Sequence, residues 1–180
     1  MKRKIQCIYI DGMEKTGKTS ITREVRMFLK SENKDLHEID GTDPGKLEIQ
    51  RVLLEDNKDA VILKQNSILS VFYKDFKEGR GIPYIEKSYK DLIREERSLN
   101  HDYGAVHFFL IPNDLSIMVD RYDPEELPSY MGRLVDFYAN INLYTATHGL
   151  DIRLIFFNEH DRIYDVRDKI LASLEENYNI

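Results

Sequence analysis

Segments rich in β-branched and aromatic residues alternate along the chain with segments whose apolar positions recur at helical spacing. Residues 4–10, 82–86, 105–111 and 151–157 are of the first kind and predict strands, and residues 36–40 predict a short second strand. Ile21, Val25, Phe28 and Leu29 stand at i, i+4, i+7 and i+8, a single apolar stripe, so the first helix is expected to begin near Lys18. A longer helix is expected over residues 59–77, ending before Gly79-Arg80-Gly81. A closing helix is expected over residues 161–176, with Ile163, Val166, Ile170, Leu171 and Leu174 turned inward. Strand alternating with helix implies an α/β architecture, a parallel sheet with helices on both faces. No repeat or low-complexity linker divides the chain, and residues 1–180 are expected to form one domain. Its most mobile loop is expected at residues 122–129, which are rich in proline and acidic residues.

Composition narrows the setting. A chain of 180 residues can bury about two-thirds of its unfolded surface around one core. No apolar run approaches the roughly 20 residues that span a bilayer, so membrane insertion is not expected. The basic start Met1-Lys2-Arg3-Lys4 is like the first region of a signal peptide, but the apolar stretch behind it is short and runs into Asp11 and Gly12. Without a cleavage site there, a cytoplasmic protein is expected. The single cysteine, Cys7, lies in a strand-like segment and reads as a buried structural thiol; zinc is not supported. A formal net charge of −6 supplies no general attraction to a polyanion, which disfavours DNA as a partner, whereas a small anionic ligand needs only a local site.

The strongest local pattern is Gly12-Met13-Glu14-Lys15-Thr16-Gly17-Lys18-Thr19, followed by Ser20. It satisfies G-x-x-x-x-G-K-[ST] directly after a strand and at the start of a helix. Glycines there let backbone N–H groups curl around phosphate oxygens, and the helix N-terminus adds partial positive charge. Lys18 is expected to reach the β and γ phosphates, and the Thr19 hydroxyl to ligate Mg²⁺. The sequence thus predicts a P-loop NTPase-type fold that binds ATP and Mg²⁺. The loop alone does not choose the reaction, because kinases, GTPases and ATPases share it. GTP is disfavoured: Asn33-Lys34-Asp35 and Asn57-Lys58-Asp59 both fail the spacing of a guanine-reading Asn-Lys-x-Asp element.

From Ile10 to Thr19 the chain resembles the thymidylate kinases and deoxynucleoside kinases. In thymidylate kinases an acidic residue at the position of Glu14 contacts the acceptor sugar, and in some members a basic residue at the position of Lys15 helps transfer; the resemblance implies those roles here. The chemistry agrees, since a carboxylate accepts a hydrogen bond from a sugar hydroxyl and a nearby cation neutralises developing charge. Glu86-Lys87-Ser88 is similar to the Glu-Arg-Ser motif that closes the third strand of deoxynucleoside kinases and to the Asp-Arg motif of thymidylate kinases. On that reading Glu86 holds Mg²⁺ through water or polarises the acceptor, and Lys87 grips a phosphate without arginine's bidentate fork. Asp120-Arg121-Tyr122 is a rival for the motif, set aside because residues 151–157 alone would then have to supply two strands. Residues 113–121 become the helix after the fourth strand, and Arg121 with Glu125 and Glu126 resembles a reduced remnant of the families' Arg-rich lid. A lid arginine would stabilise the equatorial oxygens of the transferring phosphoryl.

For the acceptor base, deoxynucleoside kinases use a Phe-Gln pair on the third helix, and Lys64-Gln65-Asn66-Ser67 stands at about that place. Gln65 both donates and accepts, and Gln65 or Asn66 would substitute for the arginine that thymidylate kinases place in this helix. Thymidylate kinases bind the acceptor phosphate with an arginine shortly after the second strand; here Gly41-Thr42-Asp43-Pro44-Gly45-Lys46 offers only Lys46. Asp43 can instead be the base that a nucleoside acceptor requires. The leading expectation is transfer of the γ-phosphoryl of ATP to a deoxynucleoside monophosphate, with a deoxynucleoside kinase as the close alternative. A phosphotransferase acting on a modified base or end of DNA, and from another class an ATP-binding switch or degenerate kinase, also stay open, as does a homodimer.

Overall fold

The computed structural model describes residues 2–12, 16–32, 35–113, 137, 140 and 149–179. In chain order the first elements are β1 (Arg3–Lys4), β2 (Cys7–Gly12), α1 (Lys18–Ser31), β3 (Asp35–Asp40) and α2 (Pro44–Asp56). Then come β4 (Ala60–Gln65), α3 (Ile68–Lys77), α4 (Ile82–Ser88), α5 (Lys90–Tyr103) and β5 (Ala105–Pro112). The last described elements are β6 (Ile152–Phe157), α6 (Ile163–Asn177) and β7 (Tyr178–Asn179). Five strands form one parallel sheet in the order β3-β4-β2-β5-β6, while β1 pairs with β7.

A strand covered on both faces has no polar side to show, and β2 is buried at all six positions. Its alternate residues feed two cores. Ile8 and Ile10 pack with Ile21, Val25 and Leu29 of α1 and with Val166, Ile170 and Leu174 of α6. Cys7 and Tyr9 point the other way, toward Leu54 of α2 and Ile62 of β4. On that side a further cluster joins Ile68, Leu69 and Phe72 of α3 to Ile85, Ile93 and Phe109. Because β4 and β5 flank β2 on opposite sides, the sheet has its switch point at the carboxyl end of β2, where ligands of open α/β sheets gather.

Two expected elements differ. Residues 59–77 are not one helix: Ala60–Gln65 is a core strand paired with both β2 and β3, and the helix begins only at Ile68. The break falls at Asn66, whose φ of 55° is incompatible with continuing either element. Residues 82–86 form a helix, not a strand; Pro83 occupies its first turn, where the missing N–H costs nothing. Ile163, expected inward, is exposed in the first turn of α6. The helix expected over residues 113–121 lies outside the described residues beyond Asn113, as does the loop expected over residues 122–129. No helix among the described residues is long and apolar enough to cross a membrane.

Candidate functional site

The register of β2 carries Gly12 to the carboxyl edge of the sheet, opposite Leu110 of β5. Its φ is 149°, and a Cβ there would stand 3.0 Å from Leu110 Cβ and 3.1 Å from the Leu110 carbonyl oxygen. Glycine is what lets the chain turn off β2 so close to β5. Gly17 makes the second turn, with φ 84° and ψ 16° at the N-cap of α1. Gly17 brings no side-chain cap, and the N-terminus of α1 lends its partial positive charge to this edge of the sheet. Lys18 Nζ donates to the Gly12 carbonyl at 3.0 Å, which brings the ammonium back to the end of β2. Thr19 is exposed in the first turn of α1, and its Oγ1 donates to Gln65 Oε1 at 3.3 Å. Thr16 is buried and Ser20 half-buried beside them. Met13, Glu14, Lys15 and Arg121 lie outside the described residues.

The third core strand in chain order is β4, so the residues that close it are Gln65-Asn66-Ser67 rather than Glu86-Lys87-Ser88. Glu86 and Lys87 belong to α4 and close no strand. Where the resemblance asks for a carboxylate and an arginine, the chain presents two amides. Gln65 faces Thr19, in a hollow shared with Arg23, Arg26 and Glu38 on the α1 side. Asn66 is the one non-glycine residue of positive φ among the described residues, a strained conformation of the sort that collects at functional sites. Its Nδ2 donates to Asp40 Oδ1 at 2.7 Å. Asp40 ends β3 directly opposite Gln65 in the strand register.

Beside Gly12 and Lys18 opens a cavity of ≈ 250 Å³, walled by Gly41 and Thr42 after β3, Asn66 after β4, and Ser70, Val71, Tyr73 and Lys74 of α3. Asn66 thus lines the cavity that Gln65 does not. Asp43 stands just past it as the N-cap of α2, its Oδ1 accepting the Lys46 N–H at 3.1 Å. A larger cavity, ≈ 690 Å³, lies where β5 and β6 begin, lined by Arg3, Arg94, Arg97 and His101. It shares no residue with the phosphate loop, and we place the site at the smaller one.

Beneath the cavity runs a buried polar chain. Lys64 and Glu96 form an ion pair of 3.2 Å with both side chains shut off from solvent. Thr42 Oγ1 donates to Glu96 Oε2 at 2.5 Å, and the Ile68 N–H donates to Glu96 Oε1 at 3.2 Å. Lys64 Nζ reaches Gln50 Oε1 at 3.5 Å, Gln50 Nε2 donates to the Tyr9 hydroxyl at 2.8 Å, and that hydroxyl donates to Asn100 Oδ1 at 2.7 Å. Asn100 Nδ2 stands 3.3 Å from His107 Nε2, which leaves Nδ1 as the nitrogen that faces Asp11 Oδ2 at 3.4 Å. Asp11 also accepts from the Ser67 N–H at 2.9 Å, Ser67 Oγ at 2.7 Å and Ser70 Oγ at 2.9 Å. Burial pushes the Asp11 carboxyl up, but the His107 ring and the two serine hydroxyls outweigh it and hold it below the ordinary carboxylate value. Asp11 and Glu96 together cap the start of α3, the helix that walls the cavity. Sequence reading singled out none of these positioning residues; the signal was the polar residues Lys64 and His107 inside otherwise apolar runs.

No protein-family model and no curated protein matches this chain in sequence. Solved structures do match in shape. A thymidylate kinase from Ehrlichia chaffeensis superposes with a TM-score of 0.55 at 12% identity, covering 96% of this chain and 99% of that one. The YorR protein of Bacillus subtilis, solved in complex with phosphorylated GDP, gives 0.55 at 15% identity, covering 97% and 99%. At such identities the likeness concerns the fold. The parallel sheet with its helices and these neighbours show an α/β P-loop NTPase fold.

Proposed function

We propose that the protein transfers the γ-phosphoryl of ATP to a deoxynucleoside monophosphate. One observation carries the reading: Gly12 and Lys18 of the phosphate loop share a cavity with Asn66, Ser70, Tyr73 and Lys74. Donor phosphates and acceptor would meet there, and phosphoryl transfer asks little more than alignment and charge neutralisation. Lys74, exposed on the cavity wall, supplies the positive charge an acceptor phosphate needs where no arginine follows β3. Asp43 is engaged as a helix cap, which favours a monophosphate over a nucleoside acceptor. The solved thymidylate kinase of like fold supports nucleotide chemistry.

Thr19 Oγ1 and Gln65 Oε1 are hard oxygen donors of the kind Mg²⁺ takes, and would hold it beside the loop. When bound, it neutralises charge on the β and γ phosphate oxygens. Lys18 would follow the γ-phosphoryl as it moves. Glu14 on the acceptor sugar, and Lys15 and Arg121 on the phosphoryl oxygens, complete the proposed machinery. The amides that close β4 favour a second reading, an ATP-binding switch that turns over poorly.

ATP consumption measured across deoxynucleosides, deoxynucleoside monophosphates and DNA ends tests both. Turnover is expected with a monophosphate, and Lys18→Ala should lower it by about a hundredfold or more. Equal turnover in Lys18→Ala refutes the site, and tight ATP binding without turnover on any acceptor selects the switch.

A further inference from the structure

The end of β4 offers the phosphate site no carboxylate. Gln65 is neutral, and Asp11 lies beneath the loop with both oxygens committed to Ser67, Ser70 and His107. Thr19 therefore has an amide oxygen as its nearest described partner, 3.3 Å away. A divalent cation bound to a triphosphate still draws on protein oxygen of negative charge, since charge count sets how tightly such a site holds its metal.

We propose that Asp40, the last residue of β3, takes that role: the metal-holding carboxylate of this phosphate site has moved one strand outward. The proposal rests on the nucleotide reading given above. Three observations converge on it. Asp40 and Gln65 are direct neighbours in the parallel register, so a side chain leaving β3 at that point emerges beside the one that touches Thr19. Glu38, two residues earlier and so on the same face as Asp40, pairs with Arg26 of α1 at 2.8 Å, which shows that this face of β3 is turned toward the helix that starts with Lys18 and Thr19. Asn66 then fixes the carboxylate. It is held at φ 55° and donates to Asp40 Oδ1 at 2.7 Å, leaving the exposed side chain's other oxygen for a metal or its water. A backbone held at positive φ that turns its amide onto one exposed carboxylate has a reason if that carboxylate must be presented to a ligand. Asn66 is thus a positioning residue, and Asp40 the ligand, directly or through water.

The test reads nucleotide affinity rather than turnover. Binding of a fluorescent ATP analogue is titrated against Mg²⁺ in wild type, Asp40→Asn, Asn66→Gly, and Asp40→Asn combined with Gln65→Glu. Asp40→Asn should raise the Mg²⁺ concentration at half-effect by about 10–100-fold while leaving affinity in chelator unchanged. Asn66→Gly, which relieves the positive φ but removes the amide, should shift it in the same direction by less. The double variant, which returns a carboxylate to the end of β4, should recover most of the loss, an outcome that a merely structural Asp40 would not give. A wild-type Mg²⁺ midpoint in Asp40→Asn overturns the assignment while leaving the nucleotide site standing. Wild-type protein that binds no nucleotide, with or without Mg²⁺, overturns the nucleotide reading and this proposal with it.

Discussion

On the face of the sheet covered by α1 and α6, Ile8, Ile10, Val106, Phe108 and Leu110 meet Val25, Leu29, Ile170 and Leu174 in one apolar cluster. On the opposite face the same strands bury Tyr9, Lys64 and His107, which meet Gln50 of α2 and Glu96 and Asn100 of α5. The first arrangement stabilises by removing apolar surface from water and tolerates many sequences of similar volume. The second desolvates a full ion pair, whose mutual attraction and hydrogen bonds offset that cost at best, so it is a poor source of stability. What it supplies is geometry. Glu96 ties Thr42 after β3 to the first N–H of α3, and Asp11 ties the same helix start to the strand that ends in Gly12. The two walls of the proposed acceptor cavity and the phosphate loop are thereby fixed to one another. Apolar clusters on both faces hold the fold together; the buried polar chain within the second face also holds the site in register.

Glu96→Gln should produce the largest break in that division. It keeps an acceptor for the Ile68 N–H but leaves the Lys64 ammonium buried without its counter-charge, a loss of about 3–5 kcal/mol. Urea unfolding checks the magnitude. Nucleotide affinity of the folded fraction should also fall, because α3 and Thr42 lose their common anchor. If Glu96→Gln unfolds the chain outright, Lys64→Met combined with Glu96→Gln separates the charge effect from the packing effect. Stability within about 1 kcal/mol of wild type in Glu96→Gln would show that the pair is not the strongly coupled buried element described here.

Ile170→Val sharpens the contrast from the other face. Ile170 is fully buried on α6, and deletion of one methylene should cost about 0.5–1.5 kcal/mol. Nucleotide affinity per folded molecule should not change. A change in affinity comparable to that of Glu96→Gln would mean that both faces position the site.

The same contrast decides what could be read from the residues. The apolar face was legible: Ile21, Val25 and Leu29 gave α1 its start near Lys18, and Ile170, Leu171 and Leu174 gave the closing helix. The glycine pattern between β2 and α1 was legible because Gly12 and Gly17 stand at fixed spacing between a strand and a helix, and both take positive φ there. The polar face misled. Lys64 in Ala60–Gln65 breaks a run that would otherwise read as a buried strand, and Ile68, Leu69 and Phe72 follow so closely that helical periodicity carries through all of them. A charge that is buried because Glu96, thirty-two residues on, faces it has no local signature. The strand-closing motif fell on Glu86 and Lys87 because the β-branched and aromatic content of residues 82–86 reads as a strand, whereas the third core strand is Ala60–Gln65. Ile82 and Ile85 suggested β structure, whereas Gly81 followed by Ile82-Pro83 is an ordinary helix entry.

The smallest expected effect concerns acid. Asp11 is held below the ordinary carboxylate value, so between that lower value and about 3.9 the unfolded chain binds more protons than the folded one. Its contribution is therefore complete at neutral pH and is lost as pH falls through the folded value. Asp161, ahead of α6 on the apolar face, is held low as well, by its hydrogen bond to Lys169 at 2.6 Å and by the Asn158 N–H. The two differ in surroundings. Lys169 is half-exposed and its pairing with Asp161 is screened by salt, while Asp11 sits among His107, Ser67 and Ser70 where ions do not enter. Urea midpoints of wild type, Asp11→Asn and Asp161→Asn, followed from neutral pH downward at low and high salt, separate them. Asp11→Asn should flatten the acid fall at both salt concentrations, because the amide does not titrate and its one oxygen can still accept from the Ser67 N–H and the Ser70 hydroxyl, which share Oδ1. Asp161→Asn should flatten it at low salt only. An acid fall in wild type that vanishes in high salt would assign the titration to surface pairs and remove Asp11 as the charged end of the buried chain.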